Sequence, residues 1–413
     1  MPEFLQLLPP GDALQIFLDH LPTFAPASEM APVQTAVLRV TAADIHAPEA
    51  LPSFSRSTVD GFALHAADSF GASESLPAYL KIIGEVPMGS SPAFSLHRGE
   101  CAHIHTGGML PDGADAVIML EDTQIARPGE VEMLKACGVG ENIIQRGEDV
   151  QEKEIIIPAG VRLTAAHIGG LCALGIQQVH VAAPPRIAVI SSGDEVVEPH
   201  QNPMPGQVRD INSYTLGSLI HRLGGIAVNC GIVADDRDQL AEAVKKAMQK
   251  NDAVVITAGS SASVRDLTAD VIQEMGAPGV LVHGVNVRPG KPTILAVCNQ
   301  KPIIGLPGNP VSALVIAGLF IPPLIQRLLG MQVPNVRPYL QARLSINLSS
   351  QAGREDWIPV RLLEDGPDGW IAEPIFYKSN LIFTLAKADG LLRIPSAANG
   401  LEANQMVQVY LLQ

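Results

Sequence analysis

Two stretches close together carry residue types and spacing that could do chemistry, Arg288-Pro-Gly-Lys-Pro292 and Gly305-Leu-Pro-Gly-Asn-Pro-Val-Ser312. Arg288 and Lys291 place two positive charges in one proline-bounded loop. The apolar run from Thr293 to Val297 and then Ile303-Ile304 read as buried strand leading into a tight turn at Gly305. Val311 to Phe320 then reads as helix. Glycines let a ligand approach the backbone closely. The first N–H groups of a helix have no intrahelical partner and favour an anion. Ser312, near that helix start, adds a hydroxyl. Together these residues predict a cradle for a phosphate or another small anion.

The rest of the composition gives this basic cluster its weight. The 413 residues hold 28 Lys+Arg against 42 Asp+Glu, a formal net charge of -14. Such a balance argues against bulk nucleic-acid binding, which needs a basic face to replace counterions. A small anionic ligand in a locally basic pocket remains open. Cys101, Cys137, Cys172, Cys230 and Cys298 are scattered without a CxxC pair, which predicts reduced thiols in a cytoplasmic protein. The opening Met1-Pro-Glu-Phe-Leu-Gln lacks a basic segment followed by an apolar run, so no signal peptide is expected. No uncharged run is long enough to predict a membrane span.

Acidic residues form a second set. Asp60, in Ser57-Thr-Val-Asp-Gly-Phe-Ala63, reads as a turn residue before glycine. Arg146-Gly-Glu-Asp149 reads as an exposed ion pair or as carboxylates at a site. Gly193-Asp-Glu195 follows a buried strand, where paired acids suit Mg²⁺, which takes few carboxylates and completes its shell with water or phosphate oxygens. Asp235-Asp236 also follows a strand, where it can simply cap the next helix. The alternation of His103 and His105 suits a strand, and the eleven histidines show no zinc motif. Structural histidines are the expectation.

The elements that must position these residues follow from periodicity. Residues 11–40 carry helical spacing, with Leu14, Phe17 and Leu18 as one apolar set. Residues 50–145 are rich in Gly, Pro and short β-branched runs and read as a compact β unit. From Arg186 onward, strands alternate with helices, which predicts a parallel sheet covered on both faces. The loops after its strands, at Ser191, Thr257 and Gly305, should crowd onto one rim, where such sheets bind ligands. After Pro334 the pattern is strands only, with Val333–Pro338 as linker. The domain reading is 1–48 plus 145–183 as a bipartite N-terminal domain, 49–144 as an inserted β domain, 184–332 as the α/β domain, and 333–413 as a C-terminal β domain.

Six segments, taken in order, extend this reading. They are Ser57-Thr-Val-Asp-Gly-Phe-Ala63, Thr106-Gly-Gly-Met-Leu-Pro-Asp-Gly-Ala-Asp-Ala-Val117, Arg146-Gly-Glu-Asp-Val150, Ser192-Gly-Asp-Glu-Val196, Arg288-Pro-Gly-Lys-Pro292 and Gly305–Ser312. Their order resembles the molybdopterin molybdenumtransferases, the MoeA and gephyrin E-domain family, from about Ala31 to the C-terminus. The resemblance implies a molybdopterin-binding three-layer α/β domain, an inserted β domain, a C-terminal β-barrel-like domain and an elongated homodimer with a shared cleft. It implies a reaction in which adenylylated molybdopterin and molybdate combine with release of AMP, assisted by Mg²⁺. It assigns catalytic roles to Asp60, Asp149, Glu195 and Lys291, and metal ligation to Asp149, Glu195 and Asp236. Ligand contacts fall to Ser260, Ser263, Arg265, Asp266, Arg288, Pro292, Gly308, Asn309, Ser312, Arg354 and Ser379. Transient contacts with apo-molybdoenzymes or with the upstream adenylyltransferase also follow, with no nucleic-acid or membrane partner.

One segment departs from the family. Thr257-Ala-Gly-Ser-Ser-Ala-Ser-Val-Arg-Asp266 stands where the family has Gly-Gly-Val-Ser-Val-Gly-Asp, and Arg265 replaces a glycine. That opens the choice between molybdate and tungstate, and between a main insertase and a paralogue. A non-catalytic molybdopterin carrier or scaffold would keep the anion cradle and could lose the acids, which are present. The adenylyltransferase resembles only the α/β segment. A generic nucleotide-binding enzyme lacks support, because no GxxxxGK[ST] or GxGxxG element follows a strand.

Overall fold

In the computed structural model, residues 7–258, 262–332, 337–376 and 378–412 are described, with the backbone alone for residues 262–266 and 368. Helices α1 (Pro10–Asp19), α2 (Ala165–Ala173), α3 (Asn212–Arg222), α4 (Arg237–Lys250), α5 (Ala262–Glu274) and α6 (Pro310–Leu328) are joined by a four-residue helix, α7 (Phe383–Ala386).

The centre is a six-stranded sheet. Its order is Ile226–Val233, Arg186–Ser192, Ala253–Ala258, Lys301–Pro307, Ile294–Cys298, Pro278–His283. The first four strands run parallel, whereas the last two pair antiparallel. The sheet is therefore mixed rather than wholly parallel. The short turn at Asn299-Gln300, where both residues have positive φ, folds the Ile294 strand straight back onto its neighbour with no crossover helix. Every residue of Ala253–Ala258 is buried, as expected of a strand covered on both faces. Leu240, Val244 and Ile272 of α4 and α5 cover one face. Phe17, Leu216, Ile220, Phe320 and Leu324 of α1, α3 and α6 cover the other.

Two expectations are corrected here. Helical spacing from 11 to 40 yields a helix only to Asp19, and Ser28–Pro32 is extended, pairing antiparallel with Gln178–Ala182. Pro22, Pro26 and Pro32 lack the N–H that a continuing helix needs. Helix α1 also packs on the central sheet through Ala13 and Phe17, in one core with Leu21 and Val40. Ala31, Val33 and Ala36 instead join 145–183 around Leu163, Leu171 and Val181.

Residues between these two pieces form a six-stranded sheet running Ala116–Met119, Gly61–Leu64, Glu100–Ile104, Ala78–Val86, Glu130–Met133, Thr123–Arg127. At the other end of the chain, Glu355–Glu364, Trp370–Pro374, Tyr339–Leu344, Met406–Leu411 and Gly390–Ile394 pair in that order. The last closes back on the first, making a five-stranded barrel. Helix α7 interrupts what the sequence pattern marks as strands only. Val287–Arg288 adds a parallel rung to Glu355–Asp356 and so ties the basic loop to the barrel. The expectation that no uncharged run reaches membrane-span length is corrected by helix α6, which is long and apolar enough to cross a membrane, but it is the core helix of the central unit, with Val315, Ile316, Phe320 and Ile325 buried.

Candidate active site at the carboxyl rim of the central sheet

From Arg186–Ser192 the chain steps out to Ile226–Val233 and then returns to the opposite side with Ala253–Ala258. The strand order thus reverses between two neighbours, and a crevice opens beyond their carboxyl ends. Here lies a cavity of ≈ 390 Å³, lined among others by Ser191, Ser192, Glu195, Asp210, Asn212, Thr257, Gly308, Asn309 and Asn380. The rim expected from Ser191, Thr257 and the loop before α6 is present. The turn itself is displaced. Gly305 lies inside its strand, where a β-carbon would meet Ile294 at 3.0 Å, and the strand runs on to Pro307. Gly308-Asn309 makes the turn.

Buried hydroxyls and one carboxylate form the polar floor. Ser191 and Thr257 are register partners on adjacent strands, and Thr257 Oγ1 donates to Ser191 Oγ at 3.4 Å. Ser191 Oγ donates in turn to Asp210 Oδ2 at 2.9 Å. Asp210, 4 % exposed, also accepts from the Ser213 N–H at 3.1 Å and from the Ser213 hydroxyl. Its anion sits at the N-terminus of α3, where the helix dipole favours negative charge. Asn212 Nδ2 donates to the Gly308 carbonyl at 2.8 Å and so locks α3 to the turn before α6. The buried Asn212 Oδ1 finds no hydrogen-bond partner among the described residues. Ser192 Oγ donates to Asp235 Oδ1 at 2.8 Å.

Of the residues expected at a site, Glu195, Gly308 and Asn309 line this cavity. Asp236 does not, since it caps α4 by accepting from the Gln239 N–H at 2.9 Å. Its neighbour Asp235 is the one that meets the rim. The unpaired helix start is also corrected. Pro310 has no N–H, and the Val311 N–H donates to the Ser379 carbonyl at 3.0 Å. Ser379 therefore reaches the site through its backbone, and the segment that carries it also brings Asn380 to the cavity wall. Ser312 is buried in the first turn of α6.

The basic residues expected at the site stand apart from the cavity walls, although Arg209 lines them, its Nε donating to the Pro199 and Gln201 carbonyls. Arg354 is paired in a fork with the buried Asp356, at 2.7 and 3.0 Å, so its charge is already engaged. Arg288 lies 3.9 Å from the same carboxylate and borders a separate cavity of ≈ 210 Å³. Lys291 is exposed, with Pro292 half-buried beside it. Gly290 has φ 105°, and a β-carbon there would fall 2.1 Å from Ile316 Cγ1 of α6. Only glycine allows the loop to press against that helix and hold Lys291 in place. Asp60 and Asp149 are exposed and line no part of the cavity in a single chain. The Thr106 N–H at 2.8 Å, followed by its hydroxyl and by His105 and His103, holds the Asp60 carboxyl below its ordinary value. Ser260 lies outside the described residues, as do the side chains of Ser263, Arg265 and Asp266.

Asp210, Asn212 and Asn380 were not foreseen from sequence. Asp210 preceding a helix in Asp210-Ile-Asn-Ser213 carries a cap-like signal, but nothing local reveals that it is buried on the floor of a cavity.

A mixed α/β sheet with a polar cavity at its switch point, a bipartite N-terminal region enclosing a β sheet, and a closed C-terminal barrel define a multidomain ligand-binding protein. Residues 8–175 match the MoeA N-terminal region (domains I and II), 188–327 a probable molybdopterin binding domain, and 341–412 the MoeA C-terminal region (domain IV). A Nostoc molybdopterin molybdenumtransferase is 31 % identical over 86 % of this chain and 82 % of its own. A Methanocaldococcus jannaschii protein named for molybdopterin biosynthesis is 35 % identical over 92 % of this chain and 90 % of its own. The crystal structure of a molybdopterin biosynthesis MoeA protein from Pyrococcus horikoshii superposes with TM-score 0.84 at 29 % identity, covering 98 % of this chain and 100 % of that one. The chain belongs to the MoeA family of molybdopterin molybdenumtransferases.

Proposed function

We propose that this protein is a transferase of molybdenum cofactor biosynthesis that inserts molybdenum from molybdate into adenylylated molybdopterin, with release of AMP. The observation that carries the reading is the polar cavity at the switch point. Its hydroxyls and amides, with the unpaired Asn212 Oδ1, suit the hydrogen-bonding edges of a pterin, since a buried acceptor without a donor is costly unless a ligand supplies one. Its two carboxylates, Glu195 and Asp210, outnumber the single guanidinium of Arg209 on the wall and would disfavour a phosphate-bearing substrate. A divalent cation resolves that conflict. Mg²⁺ held by Glu195, with Asp149 as the further acid, would neutralise phosphate charge and complete its shell with phosphate oxygens and water.

In this reading Lys291 and Arg288 bind the anionic parts of the substrates. Glu195 would hold the cation. The Gly308-Asn309 turn lets the ligand approach the backbone, and Ser260 together with Ser263, Arg265 and Asp266, at the start of α5, supplies further ligand contacts. Asp60 lies on the inserted sheet and reaches a cavity from a second copy of the chain, which makes the working unit a homodimer with a shared cleft. Domain limits of 1–48 plus 145–183, 49–144, 184–332 and 333–413 are part of the same proposal, with α1 docked on the third unit.

The test is direct. Purified protein is incubated with adenylylated molybdopterin, Mg²⁺ and either molybdate or tungstate. AMP release and reconstitution of an apo-molybdoenzyme are followed together. AMP release coupled to reconstitution supports the insertase. Binding of the pterin without AMP release would replace it with a carrier. Mixing Asp60→Asn and Glu195→Gln chains tests the shared cleft, because one intact site per mixed dimer restores part of the activity.

A further inference from the structure

The inserted sheet carries a second group of ligating side chains, away from the cavity. His103 lies on the Glu100–Ile104 strand and His105 just beyond it, two residues on, so both face one side. Glu85, on the parallel neighbour, is the register partner of His103. One ligand atom from each of the three lies within 4.8 Å of the others. His105 Nε2 is 2.8 Å from Glu85 Oε1, and His103 Nδ1 is 3.7 Å from the same oxygen. The two imidazoles stand perpendicular at 4.7 Å, and Phe62 packs edge-on against His103 at 5.5 Å. On its far side, His105 Nδ1 lies 3.9 Å from Asp60 Oδ1, and the Thr106 N–H holds that carboxylate in turn.

We propose that Glu85, His103 and His105 bind one first-row divalent transition ion, Zn²⁺ foremost, with Asp60 as the carboxylate behind His105. Two imidazoles and a carboxylate form a donor set that suits zinc and is poor for Mg²⁺ or Ca²⁺, which prefer oxygen alone. Ligands on one tetrahedral ion with bonds of about 2.1 Å stand about 3.4 Å apart, close to the separations found here. Metal-ligating histidines usually present their other nitrogen to a carboxylate or carbonyl, which fixes ring orientation. His105 approaches that arrangement, its Nε2 toward Glu85 and its Nδ1 3.9 Å from Asp60. Glu85 and His105 stay partly open to solvent, with side-chain exposures of 58 % and 36 %, which leaves an entry path and a free coordination position. This site lies away from the cavity of its own chain and shares only Asp60 with the cleft proposed above.

The experiment uses the full chain with Cys172 and Cys230 replaced by Ser, since these exposed thiols would also take zinc. After chelator treatment, Zn²⁺ is titrated calorimetrically in millimolar Mg²⁺, and Co²⁺ is added separately as a spectroscopic probe. The expected result is one Zn²⁺ per chain and a four-coordinate Co²⁺ absorption that zinc abolishes. His103→Gln/His105→Gln should weaken zinc at least about tenfold, with an unchanged circular dichroism spectrum, and Glu85→Gln should do likewise. Zinc uptake that survives the double substitution, or that Mg²⁺ abolishes, places the ion on other carboxylates and overturns the proposal. Absence of uptake at millimolar zinc overturns it too and leaves only an exposed Glu85–His105 hydrogen bond.

Discussion

Asp210→Ala should lower the stability of the central unit by about 2–4 kcal/mol. Asp210 is buried and accepts from Ser191 Oγ, the Ser213 N–H and Ser213 Oγ. Hydrogen bonds to a charged group contribute about 1.5–3 kcal/mol each, so three would sum to about 5–9 kcal/mol. The sum overstates the loss for two reasons. Ser191 Oγ lies 3.2 Å from Ser213 Oγ and 3.4 Å from Thr257 Oγ1, so the freed hydroxyls can pair with one another. The substitution also removes a buried anion, whose desolvation is costly. What remains is the orphaned Ser213 N–H, with a helix-cap loss of about 1 kcal/mol and a dipole contribution of up to about 1 kcal/mol, plus the space left behind. For a unit of this size about 2–4 °C of melting temperature accompanies each kcal/mol, giving a drop of roughly 5–15 °C. Thermal and urea unfolding followed by circular dichroism measure it. Asp210→Asn keeps the shape and one acceptor and should recover about half. An alanine variant within about 0.5 kcal/mol of the parent, or an asparagine variant as unstable as alanine, would refute the account of a carboxylate organising this floor.

Three further outcomes are expected. Lys291→Ala should weaken pterin or molybdate binding by about 1.5–3 kcal/mol without changing the melting temperature, because the side chain is exposed on a loop held by its neighbours; equal affinities by calorimetry would reject the role. Gly290→Ala should destabilise by about 2–4 kcal/mol, since the positive φ and the Ile316 contact both oppose a β-carbon, and a parent-like melting curve would contradict this. A thiol reagent at mildly alkaline pH should label the exposed Cys172 first and Cys230 more slowly, because desolvation raises the Cys230 thiol. Cys101, pushed up to about 12 by burial, Cys298, pushed up to about 11, and the buried Cys137 should react only after unfolding. Mass spectrometry of labelled peptides resolves the order.

Local sequence determined the parts whose causes are local. Ile187–Ile190 and Ala253–Ile256 are apolar and mostly β-branched, so a doubly covered strand was legible from composition alone. The prolines and glycines of Arg288–Pro292 and Gly305–Ser312 announced tight loops beside a helix, and the six ordered segments announced the family. What the sequence did not carry were consequences of pairing between distant segments. The antiparallel return of Ile294–Cys298 depends on two residues at a turn, and an apolar run reads the same in either direction. Helix α1 has an amphipathic face, but which surface it covers is decided by the Pro278–His283 and Ile294–Cys298 strands it meets far along the chain. Asp210 resembles any acid before a helix until Ser191, from another strand, is brought within hydrogen-bond reach. Arg354 looks like a free cation until the fold places buried Asp356 in its fork. Likewise, His103 and His105 alternate on a strand in the sequence, and only the parallel register that sets Glu85 opposite His103 turns the alternation into a three-ligand cluster. Periodicity and turn chemistry act over a few residues and can be read there. Burial, pairing and charge compensation arise when segments meet, and only the tertiary structure decides them.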